Sequence, residues 1–155
     1  MRRLTSVASI ASAVAVAAIA LTGCASSTPI AVTSAYVPQP TTPGTTVAYL
    51  DIRNNGHADR LVAARTSVGG TVQLRARVQS RTGALIMRAV PGIPIPADSL
   101  TRLNPDNYQL LITGAGPMHD GKDVWLYLTF ADAGTVTVLA QVTNPQTGGS
   151  SYFLN

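Results

Sequence analysis

Between Thr71 and Gln79 apolar and polar residues alternate without a break: Val72, Leu74, Ala76 and Val78 interleave with Gln73, Arg75, Arg77 and Gln79. Successive side chains of an extended chain point to opposite faces, so this segment predicts a strand with one buried and one wet side. Thr135 to Val142 repeats the pattern less cleanly, with Val136, Val138 and Ala140 against Thr135, Thr137 and Leu139. Further short runs rich in Val, Ile, Leu, Tyr and Thr predict strands at Val47–Arg53, Leu61–Ser67, Ala84–Val90, Tyr108–Thr113 and Val124–Phe130. Turn-forming clusters divide them: Asn54-Asn55-Gly56, Gly69-Gly70, Arg81-Thr82-Gly83, Pro91-Gly92 with Pro94 and Pro96, Asn104-Pro105-Asp106, Asp120-Gly121 and Ala133-Gly134. No stretch of useful length carries the 3.6-residue period of a helix. About seven short strands with such breaks predict an all-β antiparallel sandwich of Greek-key type.

The two ends follow other patterns. Arg2 and Arg3 precede an uncharged run that closes on Leu21-Thr22-Gly23-Cys24, which holds the single cysteine of the chain. A basic start, a short apolar core and small residues at the end compose a secretory signal. A cysteine directly after Leu-Thr-Gly is the substrate of the bacterial lipoprotein peptidase, so residues 1–23 are expected to be removed and Cys24 to become a lipidated N-terminus. Leu4 to Gly23 nears the length of a spanning helix, but it is mostly Ala, Ser and Val and only weakly apolar. Residues 24–45 are uncharged and rich in Ser, Thr and Pro, which reads as a semi-rigid tether; Ile30 to Val37 could add an edge strand. The folded domain is expected at 46–143 and a polar tail at 144–155.

Loss of the signal leaves 132 of the 155 residues, enough for one domain with a moderate core. The formal charge of +4 falls to +2 once Arg2 and Arg3 depart. So small and unclustered an excess gives no electrostatic basis for a nucleic-acid partner. With Cys24 acylated no disulfide can form, and folding must rest on burial.

Catalytic patterns are missing. The chain has no Glu, and its Asp residues mostly occupy turns. His57 and His119 each have an Asp nearby, yet no Gly-x-Ser-x-Gly elbow, His-Glu-x-x-His helix, P-loop or dinucleotide fingerprint accompanies them. The sequence therefore predicts no enzyme.

Several segments, in order and spacing, carry a family resemblance. They are Ala48-Tyr49-Leu50-Asp51-Ile52-Arg53-Asn54 with Asn55-Gly56, Asp59-Arg60-Leu61-Val62, Met87-Arg88-Ala89-Val90-Pro91-Gly92-Ile93-Pro94-Ile95-Pro96, and Leu128-Thr129-Phe130 before Ala133-Gly134-Thr135-Val136-Thr137-Val138. With them the chain resembles the PCu(A)C family of periplasmic copper chaperones, which implies a cupredoxin-like β-sandwich. Signal and tether add a resemblance to actinobacterial envelope lipoproteins of LpqE type. In the copper family a histidine, a methionine and a His-x-Met pair hold Cu(I), and soft thioethers with imidazoles suit that ion. Here the corresponding positions are Arg75, Met87, Gln109 and Leu111. Arginine stays protonated and offers a metal no lone pair.

Met87 alone thus remains, and its other reading is an adaptable core side chain. A rearranged site could draw on Met87, Met118, His119 and His57. Arg75, Arg77 and Arg88 could instead converge on a phosphate or carboxylate, or form a solvated face. The expectation is a lipid-anchored, extracytoplasmic binding module of the cell envelope, without cofactor and with its copper site lost. Its partner would be an envelope protein, a lipid or a wall polymer. A copper chaperone and a purely structural envelope protein are the rival readings.

Overall fold

The computed structural model describes residues 29–144 and 146; the signal, Cys24 and all but Asn144 and Gln146 of the tail lie outside them. Among the described residues every regular element is a strand: β1 (Ile30–Pro38), β2 (Thr45–Asn54), β3 (Asp59–Thr66), β4 (Thr71–Gln79), β5 (Leu85–Ala89), β6 (Ile93–Ile95), β7 (Ser99–Leu103), β8 (Tyr108–Thr113), β9 (Asp123–Phe130) and β10 (Gly134–Thr143). They form one sheet in the order β5-β4-β8-β7-β2-β1-β10-β9-β3-β6. β2 is shared: its first half pairs with β8 and its second with β7. The sheet curls over so that β3 packs on β4, closing two layers around one core.

That core draws on both layers. Leu50 and Ile52 of β2, Leu110 and Ile112 of β8, Leu61 of β3, Leu126 and Leu128 of β9 and Val142 of β10 are all buried. The alternation in Thr71–Gln79 appears as expected, with Leu74 and Ala76 buried and Gln73 and Arg77 exposed.

Three features differ from the sequence expectation. First, residues 30–38, assigned above to the tether, form an internal strand between β2 and β10. Its Ile30 and Val37 are buried, and burial of these few residues decides the matter over the surrounding Ser, Thr and Pro. Second, the β1–β10 junction is parallel, so the sheet is mixed. Third, β6 is a strand where prolines had predicted a break, and β7 is a strand in a stretch to which no strand had been assigned. β6 ends the sheet, an edge position where Pro94 costs no ladder hydrogen bond, and Ile93 and Ile95 both face the core.

Two polar groups fix connections that apolar contacts alone would leave loose. Asn54 is fully buried. Its Nδ2 donates to the carbonyls of His57, Pro96 and Ile95, and its Oδ1 accepts from the Gly56 amide. Asp59 holds the β9–β10 turn by accepting from the amides of Asp132 and Ala133, as well as from Arg60. Slight burial pushes the Asp59 carboxyl up, but the backbone N–H groups of Arg60, Ala133, Asp132 and Ala131 outweigh it and hold the group below its ordinary value of 3.8. A depressed pKa contributes stability that is present above the unfolded value and is lost as pH falls through the folded one. Asp59→Asn should therefore lower stability at neutral pH and flatten the fall below about pH 4; chemical melts at several pH values check this, and an acid limb unchanged from wild type would assign that limb to other groups.

The β3–β4 turn is seated just as tightly. Gly70 has φ +79°, and a Cβ there would stand 2.4 Å from the Thr113 carbonyl oxygen at the end of β8. Only glycine permits both the conformation and the approach.

Candidate functional site

The register of β5, β4 and β8 brings the four copper-family positions onto one outward face. Arg75 lies directly opposite Gln109, and Gln73 opposite Leu111. Met87 of β5 pairs with Arg77, one diagonal step from Arg75. Directly opposite residues have Cβ atoms about 5 Å apart, so positions 75, 87, 109 and 111 form a compact patch.

The chemistry of the patch is set by Arg75. Its Nη2 donates to the Met87 carbonyl at 2.6 Å, which lays the guanidinium across β4 and β5 between the ligand positions. Its Nε is buried without a hydrogen-bond partner among the described residues. A cation and a single thioether make a poor donor set for Cu(I), which favours several soft or imidazole donors.

The rearranged Met/His site does not assemble either. Met87 pairs with Arg77, whereas Met118 follows β8 beyond Thr113, which pairs with Thr71. Six residues of β4 separate those levels, about 20 Å at ~3.3 Å per residue. Met118 is moreover buried in the core, not exposed on a loop. His119 is exposed beside it and lines an open cleft of about 320 Å³ with Pro40, Pro43, Gly44 and Pro117. His57 lies past the other end of β2; the length of that strand, from Thr45 to Asn54, puts it roughly 30 Å from the cleft. Metal–ligand bonds near 2.0 to 2.3 Å leave no shared coordination across such gaps. Among the described residues no group of three or more His, Cys, Asp or Glu could hold a metal.

Nor do the three arginines converge. Arg88 pairs with the buried Ala76, so it faces away from Arg75 and Arg77. A one-residue offset in a strand moves a side chain to the other face, and the sequence did not specify that offset. Arg77 is neutralised by Asp106, whose carboxylate accepts from its Nη1. Asp106 was legible only as part of an Asn-Pro-Asp turn; the Arg77 amide donating to the Asn107 carbonyl is what brings the two together.

A curled β-sandwich of this kind is shared with solved PCuAC domains. The copper-bound PCuAC domain from PmoF2 aligns with 76% of the chain and 94% of its own at TM-score 0.63 and 19% identity. The solution structure of CuI-DR1885 from Deinococcus radiodurans aligns with 71% of the chain and 75% of its own, at TM-score 0.58 and 27% identity. A curated relative, "Putative lipoprotein Lxx21020" of Leifsonia xyli subsp. xyli (strain CTCB07), is 27% identical over 111 residues, 70% of this chain and 67% of its own length. The fold is therefore that of a cupredoxin-like PCuAC domain. Residues 30–142 match the model of the LpqE-like family, described as "Putative lipoprotein LpqE-like", and the chain belongs to that family.

Proposed function

We propose that this protein is a lipoprotein of the bacterial cell envelope, anchored through acylated Cys24, whose domain is a non-catalytic binding module that no longer carries copper. The observation behind the loss of copper is the Arg75 guanidinium bonded to the Met87 carbonyl inside the patch where the copper family keeps its ligands. Removal of those ligands leaves the sandwich intact, because positions 75, 109 and 111 point outward and contribute little to the core. Two acyl chains on one cysteine give stable anchoring where one would be marginal. The family match and the lipoprotein relative support the envelope placement. PCuAC neighbours bound to copper are what the rival chaperone reading rests on.

Two measurements test the proposal. In membrane fractions the wild-type chain should sediment with the bilayer and Cys24→Ala should be soluble; a variant still bound to membranes would remove the anchor. Competition against a chromophoric Cu(I) chelator should show no ion held by the wild-type chain. Stoichiometric capture of Cu(I) would establish the chaperone reading instead.

A further inference from the structure

The chain has one tryptophan, and it stands on the outside. In β9 the inward side chains Val124, Leu126, Leu128 and Phe130 are buried, while Trp125 is 46% exposed and lies directly opposite Leu139 of β10, itself 42% exposed. Two residues along, Tyr127 lies opposite Arg65 of β3 on the same face, and the Arg65 guanidinium stands 5.6 Å from the centre of its ring. Thr137 flanks Tyr127 on the other side, and the Thr129 and Thr135 hydroxyls meet at 3.3 Å in the next row. The Ser67 hydroxyl accepts from the Trp125 amide, fixing the strand beneath the indole. Thus Arg65, Trp125, Tyr127 and Leu139 share a flat sheet surface bordered by hydroxyls.

From this arrangement we infer that the β3–β9–β10 face binds a saccharide chain, a partner of stated chemistry available to an envelope lipoprotein. A sugar ring presents an apolar face of C–H groups and an equatorial rim of hydroxyls. An indole face matches the first; threonine hydroxyls and a guanidinium donor match the second. Aromatic side chains with one apolar and one wet aspect suit such a boundary. The charge pattern narrows the partner. Around Trp125 the outward positions carry one positive charge, Arg65, and one negative charge, Asp123, two residues before the tryptophan on the same side of β9. Binding to an anionic lipid surface draws on clusters of about 4 to 8 basic residues, which this face lacks. With one guanidinium stacked on Tyr127 and one carboxylate near Trp125, the face is close to neutral and suits an uncharged polymer. Trp125 and Leu139 lie side by side with Tyr127 in the next row, a small apolar patch edged by Thr137, Thr129 and Thr135, whereas a stable protein interface needs a larger closely packed, water-excluding centre.

The sole tryptophan makes the test site-specific. The full chain in detergent is titrated with soluble glycan strands released from peptidoglycan and with a neutral hexose hexasaccharide, and indole emission is followed. A saturable change in emission with at least one of the two is expected. In parallel, sedimentation with insoluble peptidoglycan should fall at least about tenfold for Trp125→Ala and for Arg65→Gln, with thermal melts confirming that both variants fold; Tyr127→Phe keeps the ring and should retain binding. Unchanged emission with both saccharides, or sedimentation indifferent to Trp125→Ala, would overturn the inference. An emission change seen only with phosphatidylglycerol vesicles would overturn it in favour of a membrane contact. None of these outcomes depends on lipidation or copper, so the proposal fails or stands separately from the envelope reading.

Discussion

Exchanging three side chains, Arg75→His, Gln109→His and Leu111→Met, with Met87 left in place, is expected to raise the affinity of this domain for Cu(I) sharply. The backbone already meets the geometric requirement. Position 75 faces position 109 across the β4–β8 ladder, 111 lies on the same face two residues on, and Met87 approaches from β5. The variant supplies two imidazoles and a second thioether and removes the cation that now occupies the patch, so donor type and local charge both turn toward a soft monovalent ion. A gain of at least about 10³-fold in affinity, roughly 4 kcal/mol, is a modest expectation for a site completed from one donor to four. Chelator competition measures it. Arg75→Ala serves as the control that relieves charge without adding a donor, and it should stay near the wild-type level; Met87→Ala in the triple variant should weaken what was gained. A triple variant that folds with unchanged stability yet gains no affinity would show that the patch no longer has the separations copper needs.

The largest loss of stability from a single polar side chain is expected at Asn54. Its amide serves three carbonyls and one backbone N–H at full burial, tying the β2–β3 connection to the chain between β6 and β7. Asn54→Ala leaves the buried Ile95 carbonyl without its donor, loosens the part-buried carbonyls of His57 and Pro96 and opens a cavity at a fully buried position; a buried unpaired group alone costs about 1–3 kcal/mol. Allowing for some relaxation, a loss of about 3 kcal/mol is expected, which for a domain of this size lowers the melting temperature by about 10 °C. Asn54→Asp is isosteric but replaces the donor with an acceptor, and at neutral pH it sets a carboxylate against three carbonyl oxygens. It should be at least as damaging, and its deficit should shrink on acidification as the carboxyl regains a proton. Thermal melts across pH distinguish the two variants. Losses below about 1 kcal/mol would mean that water replaces the amide.

Asn54 also marks where sequence reading stops. As Asn54-Asn55-Gly56 it reads as turn chemistry, and the Gly56 amide bonded to its Oδ1 agrees. Its bonds to Ile95 and Pro96 depend on residues about forty positions away, and no local pattern announces them. β9 shows the same limit differently. Val124 to Phe130 is apolar or aromatic at nearly every position, so periodicity marks a strand but cannot say which face is wet. Tertiary packing buries the even-numbered set and leaves Trp125 outside. The tether presents the reverse error: proline and threonine left Ile30–Val37 as at most an edge strand, whereas it is an internal one whose partners, β2 and β10, lie at the two ends of the expected domain.

By itself the sequence determined the all-β character and the outward arginine stripe of β4. Each is a local property, carried by side-chain type and a period of two. Only the tertiary structure decided that Arg88 faces away from Arg75, that Met118 is buried far from Met87, that Asp106 neutralises Arg77, and that Trp125, Tyr127, Leu139 and Arg65 share one surface. Those facts depend on register between strands distant in sequence, where a shift of one residue reverses every side chain, and register is fixed by the packing of the whole core.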